Sequence, residues 1–190
     1  MTNETRLLVR NLAEDYLKNL PKDVVGPSDF PVQIENIIQH LKGSIIEDVV
    51  DIYSDGYIKY TNKNIPIFEI HIRKISDEQR KRFTLAHELG HLFLHMDFFD
   101  EKKRKKHQVY QDCIYHRKSG NYAEEELQAN EFAASILMPT DVFIQKAEEN
   151  IVDGGSAYDV EKIAAFFNVS HLTVITRGRW LGLFAWDNSF

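Results

Sequence analysis

Phe83-Thr84-Leu85-Ala86-His87-Glu88-Leu89-Gly90-His91-Leu92-Phe93-Leu94-His95 sets a His-Glu-x-x-His core inside an apolar run. At 3.6 residues per turn, His87 and His91 project from one face, one turn apart. Both imidazoles can therefore reach a single tetrahedral Zn²⁺ at about 2.0–2.1 Å. Glu88 lies roughly 60° around the helix from His91. That puts it beside the open position of such a metal, where a base acting on water stands. Leu85, Ala86, Leu89, Leu92, Phe93 and Leu94 make the segment apolar nearly all round, which reads as a buried helix. Two histidines and a glutamate inside a buried helix need partners. The plainer alternative is hydrogen-bonded core residues, but three fixed positions within apolar flanks favour a metal site.

Just upstream, Ser76-Asp77-Glu78-Gln79 fits a capping box, so the helix is expected to start at Ser76. Arg80, Lys81 and Arg82 then read as a solvated face. Before it, segment 44–72 has extended character. Ile45 to Tyr53 and Tyr57 to Tyr60 flank Ser54-Asp55-Gly56, which reads as a hairpin turn, and Asn62-Lys63-Asn64 makes a second turn. The third strand, Ile65 to Ile72, contains Pro66, which cannot donate to a ladder. It is expected at a sheet edge, either open to an added peptide strand or protected against aggregation. Two helices open the chain, one over 4–20 with a stripe of Leu8, Leu12, Tyr16 and Leu20, ended by Pro21. Ser28 or Asp29 caps the other, which carries Val32, Ile34, Ile37, Ile38 and Leu41 and is closed by Gly43. Both are assigned to core building without chemistry.

Downstream, the basic run Glu101 to Lys106 and a Tyr- and His-rich stretch to 121 read as a solvated loop, with a nucleic-acid contact or a cleft border that selects an acidic substrate segment as the alternatives. A helix from Tyr122, with Leu127, Phe132, Ala133 and Ile136 inward, stops at Met138-Pro139. A shorter one follows through about Glu148. Asp153-Gly154-Gly155-Ser156 is the best linker. Beyond it, Val160 to Phe167, the turn Asn168-Val169-Ser170 and a second helix resemble a helix-turn-helix. Lys162, Arg177 and Arg179 there stand against Asp159, Glu161 and Asp187, so a basic DNA-reading face is missing. The expected division is 1–150 for the main domain and 151–190 for a C-terminal helical unit packed on it.

A catalytic Zn²⁺ needs a third protein ligand. Asp97 and His95 rank low, His95 because it sits one turn too far along the axis. Glu126 and Asn130 share a face of the downstream helix, so one can ligate while the other hydrogen-bonds a ligating histidine. Glu126 is favoured, with Glu125 as the alternative; Glu124 and Glu125 complement the helix dipole.

A length of 190 residues allows one good core, or one core with a small appended unit. A net charge of −6 gives no footprint for nucleic acid or anionic lipid. The single cysteine, Cys113, cannot form an internal disulfide, and residues 1–20 lack the apolar core of a signal peptide. The expectation is a cytoplasmic protein.

Arg82-Phe83-Thr84-Leu85-Ala86-His87-Glu88-Leu89-Gly90-His91, taken with Glu126-x-x-Ala129-Asn130-x-Phe132-Ala133-Ala134-x-x-Leu137-Met138-Pro139, resembles the ImmA/IrrE metallopeptidases over roughly residues 30–140. The resemblance implies an α+β, gluzincin-like (zincin-like) core, here expected to carry a small three-stranded antiparallel sheet packed on helices. It implies zinc held by His87, His91 and Glu126, and Glu88 as base. It also implies cleavage or antagonism of a helix-turn-helix repressor. One departure is Gln128, where the family often has a second Glu. Tyr110, Tyr115, His116, Arg117 and Tyr122 are equal candidates to stabilise an oxyanion. The competing expectation is a non-proteolytic regulator with a structural metal site that binds a repressor or DNA.

Overall fold

The computed structural model describes residues 1–26, 30–48, 56–61, 63–74, 77–104, 122–152 and 157–186, the side chains of Tyr122 and Ala123 excepted. The Ser28 or Asp29 cap, most of the 54–56 turn, Asn62, Ser76, the loop from 105 and the 153–156 linker lie outside them.

Helix α1 (Asn3–Lys18) is capped by Thr2, which accepts from the Thr5 N–H, and it buries Val9, Ala13, Glu14 and Leu17. The stripe expected there is one residue out of phase, since Leu8 is 65% exposed and Leu12 41% exposed. A short α2 (Lys22–Val25) leads to α3 (Ile34–His40), which buries Ile34, Ile37 and Ile38. Gly43 does not close α3; it opens strand β1 (Gly43–Asp48). A Cβ at Gly43 would lie 2.3 Å from the Phe68 ring, so the strand needs a bare α-carbon here.

Strands β2 (Gly56–Tyr60) and β3 (Phe68–Arg73) complete a sheet of order β1-β3-β2. β1 runs parallel to β3, from Gly43 opposite Phe68 to Asp48 opposite Arg73, while β2 is antiparallel to β3. The sheet is therefore mixed, not antiparallel, and β1 and β2 form no hairpin. β3 is central, contrary to the edge position expected from Pro66. The reason is local: Pro66 precedes the paired residues and withholds no ladder N–H. Phe68, Ile70 and Ile72, all fully buried, favour the position where both sides are paired.

Helix α4 (Glu78–His95) packs against β2 and β3 of this sheet. Its cap is Asp77, one residue after the expected Ser76, and accepts from the Arg80 N–H at 3.2 Å. Tyr60 Oη donates to the Met96 carbonyl at 2.7 Å and fixes the other end. Arg82 is not on a solvated face: it is buried and donates to the Val32 and Asn168 carbonyls. In the described part of the basic run, Lys103 meets Asp97 and Asp100, and Arg104 meets Glu101.

Helix α5 (Tyr122–Leu137) packs on α4, where a Cβ on Gly90 would lie 3.0 Å from Ala129 Cα. Next come α6 (Thr140–Glu149), the two-residue antiparallel strands β4 (Ile151–Val152) and β5 (Ala157–Tyr158), α7 (Val160–Phe167) and α8 (His171–Trp180). Between the last two helices, Asn168 is left-handed at φ 51 and Ser170 caps α8, in the turn expected from Asn168-Val169-Ser170. One apolar core runs from Val9 through the sheet and α4 to Phe167, Val174 and Phe184. Among the described residues, no helix is long and apolar enough to cross a membrane.

Candidate metal centre

The four-residue spacing on α4 delivers His87 and His91 to one place, and α5 brings Glu126 and Asn130 against them. His87 Nε2 and His91 Nε2 are 3.0 Å apart. Glu126 Oε1 lies 3.2 Å from His91 Nε2, and its Oε2 lies 3.4 Å from His87 Nε2. Ligand atoms around a tetrahedral ion with bonds of about 2.0–2.1 Å are separated by about 3.4 Å. The triangle fits that size. Among the described residues, these three form the group of His, Cys, Asp and Glu side chains able to hold a metal ion. Two neutral imidazoles and one carboxylate are a donor set that Zn²⁺ accepts while keeping one position open. Glu125 does not enter the group.

The residues behind this group divide the work. Asn130 Oδ1 is 3.0 Å from His87 Nδ1, the second role expected of the Glu126/Asn130 pair. His95 stands behind His91, its Nδ1 3.0 Å from His91 Nδ1, and its Nε2 is 2.9 Å from Gln128 Oε1. Set aside as a ligand, His95 is instead a neighbour of His91. The four-residue step from His91 is the signal that pointed to it. Asp97, also set aside, is left-handed at φ 50 and faces Lys103. Of the oxyanion candidates, Tyr110, Tyr115, His116 and Arg117 lie outside the described residues, as does the Tyr122 side chain.

Electrostatics separate the two glutamates. Glu88 is buried, and burial pushes its carboxyl up to about 7, opposed by His87 and reinforced by Glu126. Burial works to raise Glu126 as well, but His87 and His91 pull it far below the usual carboxylate range. At His87, burial lowers the imidazole, yet Glu126 and Glu88 outweigh it and hold it above its ordinary value. At His91 burial prevails and the imidazole is held down. One carboxylate is thus poised to exchange a proton near neutrality, and the other is held ionised for a cation.

The model of the Peptidase M78 family, the IrrE N-terminal-like domain, matches residues 53–177. The chain belongs to this IrrE-like family. Metallopeptidase ImmA of Bacillus subtilis (strain 168) is 28% identical over 137 residues, 72% of this chain and 58% of that protein. A Mycobacterium tuberculosis transcriptional regulator of known structure shares the fold, with a TM-score of 0.54 and 14% identity, over 93% of this chain and 47% of that one. This IrrE-like chain therefore spans less than three fifths of one relative and about half of the other. Both motifs that carried the resemblance lie inside the matched range, and the IrrE-like family is metal-dependent.

Proposed function

We propose that this chain is a zinc-dependent endopeptidase of the cytoplasm whose substrate is a helix-turn-helix transcriptional repressor. In this reading residues 1–150 form the metallopeptidase domain and 151–190 a helical, helix-turn-helix-like unit packed on it. The observation that carries the reading is the His87–His91–Glu126 triangle with the buried Glu88 beside it. A structural zinc site has no use for a base; a hydrolytic one does.

His87, His91 and Glu126 would hold the ion, which when bound polarises a carbonyl and makes water easier to deprotonate. Glu88 takes the proton from the attacking water and returns it to the leaving amine. Asn130 keeps the His87 ring turned toward the ion through Nδ1. A cavity of about 320 Å³, lined by Phe83, Leu127, Asn130, Leu172 and Trp180 among others, reaches the site at Asn130 and supports a bound peptide with apolar side chains.

Similarity to ImmA, a metallopeptidase, supports peptidase chemistry. The structural neighbour is a transcriptional regulator, which supports a second reading, a regulator that binds a repressor or DNA without cutting. Direct nucleic-acid binding is disfavoured because Arg177, one of the few cations of the C-terminal helices, is 2% exposed. The test incubates the zinc-loaded chain with the repressor encoded beside its gene and weighs the fragments. Cleavage that Glu88→Gln abolishes while zinc stays bound supports the peptidase. An intact repressor, together with unchanged cellular output of Glu88→Gln, supports the binder.

A further inference from the structure

We infer that His95 and Gln128 form a positioning relay that fixes the tautomer and orientation of His91 toward the cation. The inference rests on the metal-centre reading above. His91 Nε2 faces His87 Nε2 and Glu126 Oε1, so the nitrogen turned away from the triangle is Nδ1. That Nδ1 meets His95 Nδ1 at 3.0 Å. Two ring nitrogens at hydrogen-bond distance share one proton, and the tautomers of the two rings decide which carries it. A ligating Nε2 must be bare, so the proton of neutral His91 sits on Nδ1 and is donated to His95. His95 Nδ1 then accepts, and the proton of that ring must sit on Nε2. His95 Nε2 lies 2.9 Å from Gln128 Oε1, which can only accept.

Every link can therefore be made with one donor and one acceptor; the bare Nε2 of His91 sets the sense of the chain, and Gln128 meets it with Oε1. A side chain at position 128 that can donate but not accept, such as lysine, would oppose it. His95 would then carry its proton on Nδ1 and give it to His91 Nδ1, leaving the His91 proton on the Nε2 that the metal needs. His87 requires no such relay, because Asn130 Oδ1 reaches its Nδ1 directly. Helix α5 thus supplies Glu126 to the triangle and an amide oxygen behind each histidine. Gln128 serves its histidine through His95. Neither His95 nor Gln128 belongs to the His87–His91–Glu126 group; both act through His91.

The experiment measures zinc affinity by chelator competition for the full chain and for Gln128→Met, Gln128→Glu, Gln128→Lys, His95→Phe and the double variant His95→Phe/Gln128→Met. Circular dichroism first verifies that each is folded. Loss of such a partner weakens metal binding by about 10–100-fold. Gln128→Met is expected to fall in that range. Gln128→Glu, which only accepts, should bind at least as tightly as the parent. Gln128→Lys, which only donates, should bind no better than Gln128→Met. The double variant should match His95→Phe, because both changes cut one chain. In ¹⁵N-resolved imidazole spectra of the zinc form, His91 should carry its proton on Nδ1 and His95 on Nε2. A merely space-filling role would not sort variants by donor or acceptor sense. Equal affinities for Gln128→Met, Gln128→Glu and Gln128→Lys in a chain that binds zinc would overturn the relay alone, as would an Nδ1 proton on His95. A folded parent that takes up no zinc would overturn the metal centre, and the relay with it.

Discussion

Glu88 works against the fold it sits in. Its carboxyl belongs near 4.5 when solvated and is raised to about 7 by burial, so ionising it costs stability. The sign follows from proton linkage. The penalty is absent below the unfolded value, grows as pH rises between the two, and is complete above about 7. An interval of that width corresponds to about 3 kcal/mol. In metal-chelated protein, Glu88→Gln should therefore be more stable than the parent at pH 8, by up to about 3 kcal/mol, with the gap shrinking below about 1 kcal/mol at pH 5. Paired urea denaturations at the two pH values measure it, and a variant less stable than the parent at pH 8 would refute the assignment. The same substitution should keep zinc within a few-fold and reduce cleavage by about 10²–10⁴-fold, the usual worth of a positioned base. Replacing Glu126 by Ala should do the reverse at the first step, with zinc affinity falling by at least the 10–100-fold of a lost supporting partner. Isothermal titration with zinc distinguishes the two glutamates.

Between helices, the spacing of α4 and α5 decides whether Glu126 meets the histidines. Gly90 permits the approach: a Cβ there would lie 3.0 Å from Ala129 Cα and 3.1 Å from Ala129 O. Those are backbone atoms and cannot swing aside. Gly90→Ala gains about 1 kcal/mol of helix propensity, but the wedge costs about 1–3 kcal/mol, so a net loss of about 1 kcal/mol is expected. The clearer reading is zinc affinity, which should fall because the wedge moves Glu126 away from His87 and His91. Chemical denaturation and a zinc titration of the same sample separate the two effects. The stretch from His87 to His91 was legible because its chemistry is local: residues four apart on one helix must share a face. The Glu126–Asn130 pair was legible for the same reason. Strand order was not. Whether β1 pairs with β2 or accepts β3 between them depends on contacts made across the chain, and Pro66 misled because its place just before the ladder leaves no mark in sequence. The phase of α1 was ambiguous in composition, since Leu8-Leu12 and Val9-Ala13 both repeat every four residues. The structure buries the second set together with Glu14.

What makes Glu14 tolerable inside is a charge network that spans the molecule and that no local pattern announces. Arg177 of α8 donates to Glu14 of α1 at 3.2 Å and to Glu131 of α5 at 2.9 Å, and also to the Met138 carbonyl. Arg6 and Arg10 add two contacts to Glu131, each 3.1 Å. Removing one member of a buried pair leaves its partner uncompensated, at a cost of about 3–5 kcal/mol. Here the residue left behind matters. Without Arg177, Glu131 keeps two arginines, whereas among the described residues Glu14 keeps the Thr140 N–H and hydroxyl, at 2.9 and 2.6 Å. Arg177→Met is therefore expected at the lower end, about 3 kcal/mol, and Glu14→Gln in that background should recover about 1 kcal/mol by removing the stranded charge. The tryptophans offer a sharper reading. The chain has two, Trp180 and Trp186, both at its C-terminal end, so indole fluorescence follows that end alone while circular dichroism follows all the helices. In the parent, where the core is continuous from Val9 to Phe184, the two urea transitions should coincide. In Arg177→Met the fluorescence transition should come first, because α8 has lost its anchor while α4 and α5 keep theirs. Coincident transitions in that variant would mean that apolar packing of Phe167, Val174 and Phe184 suffices to hold the C-terminal helices. Separated transitions in the parent would mean that 151–190 folds as an autonomous unit and the network contributes little to its docking.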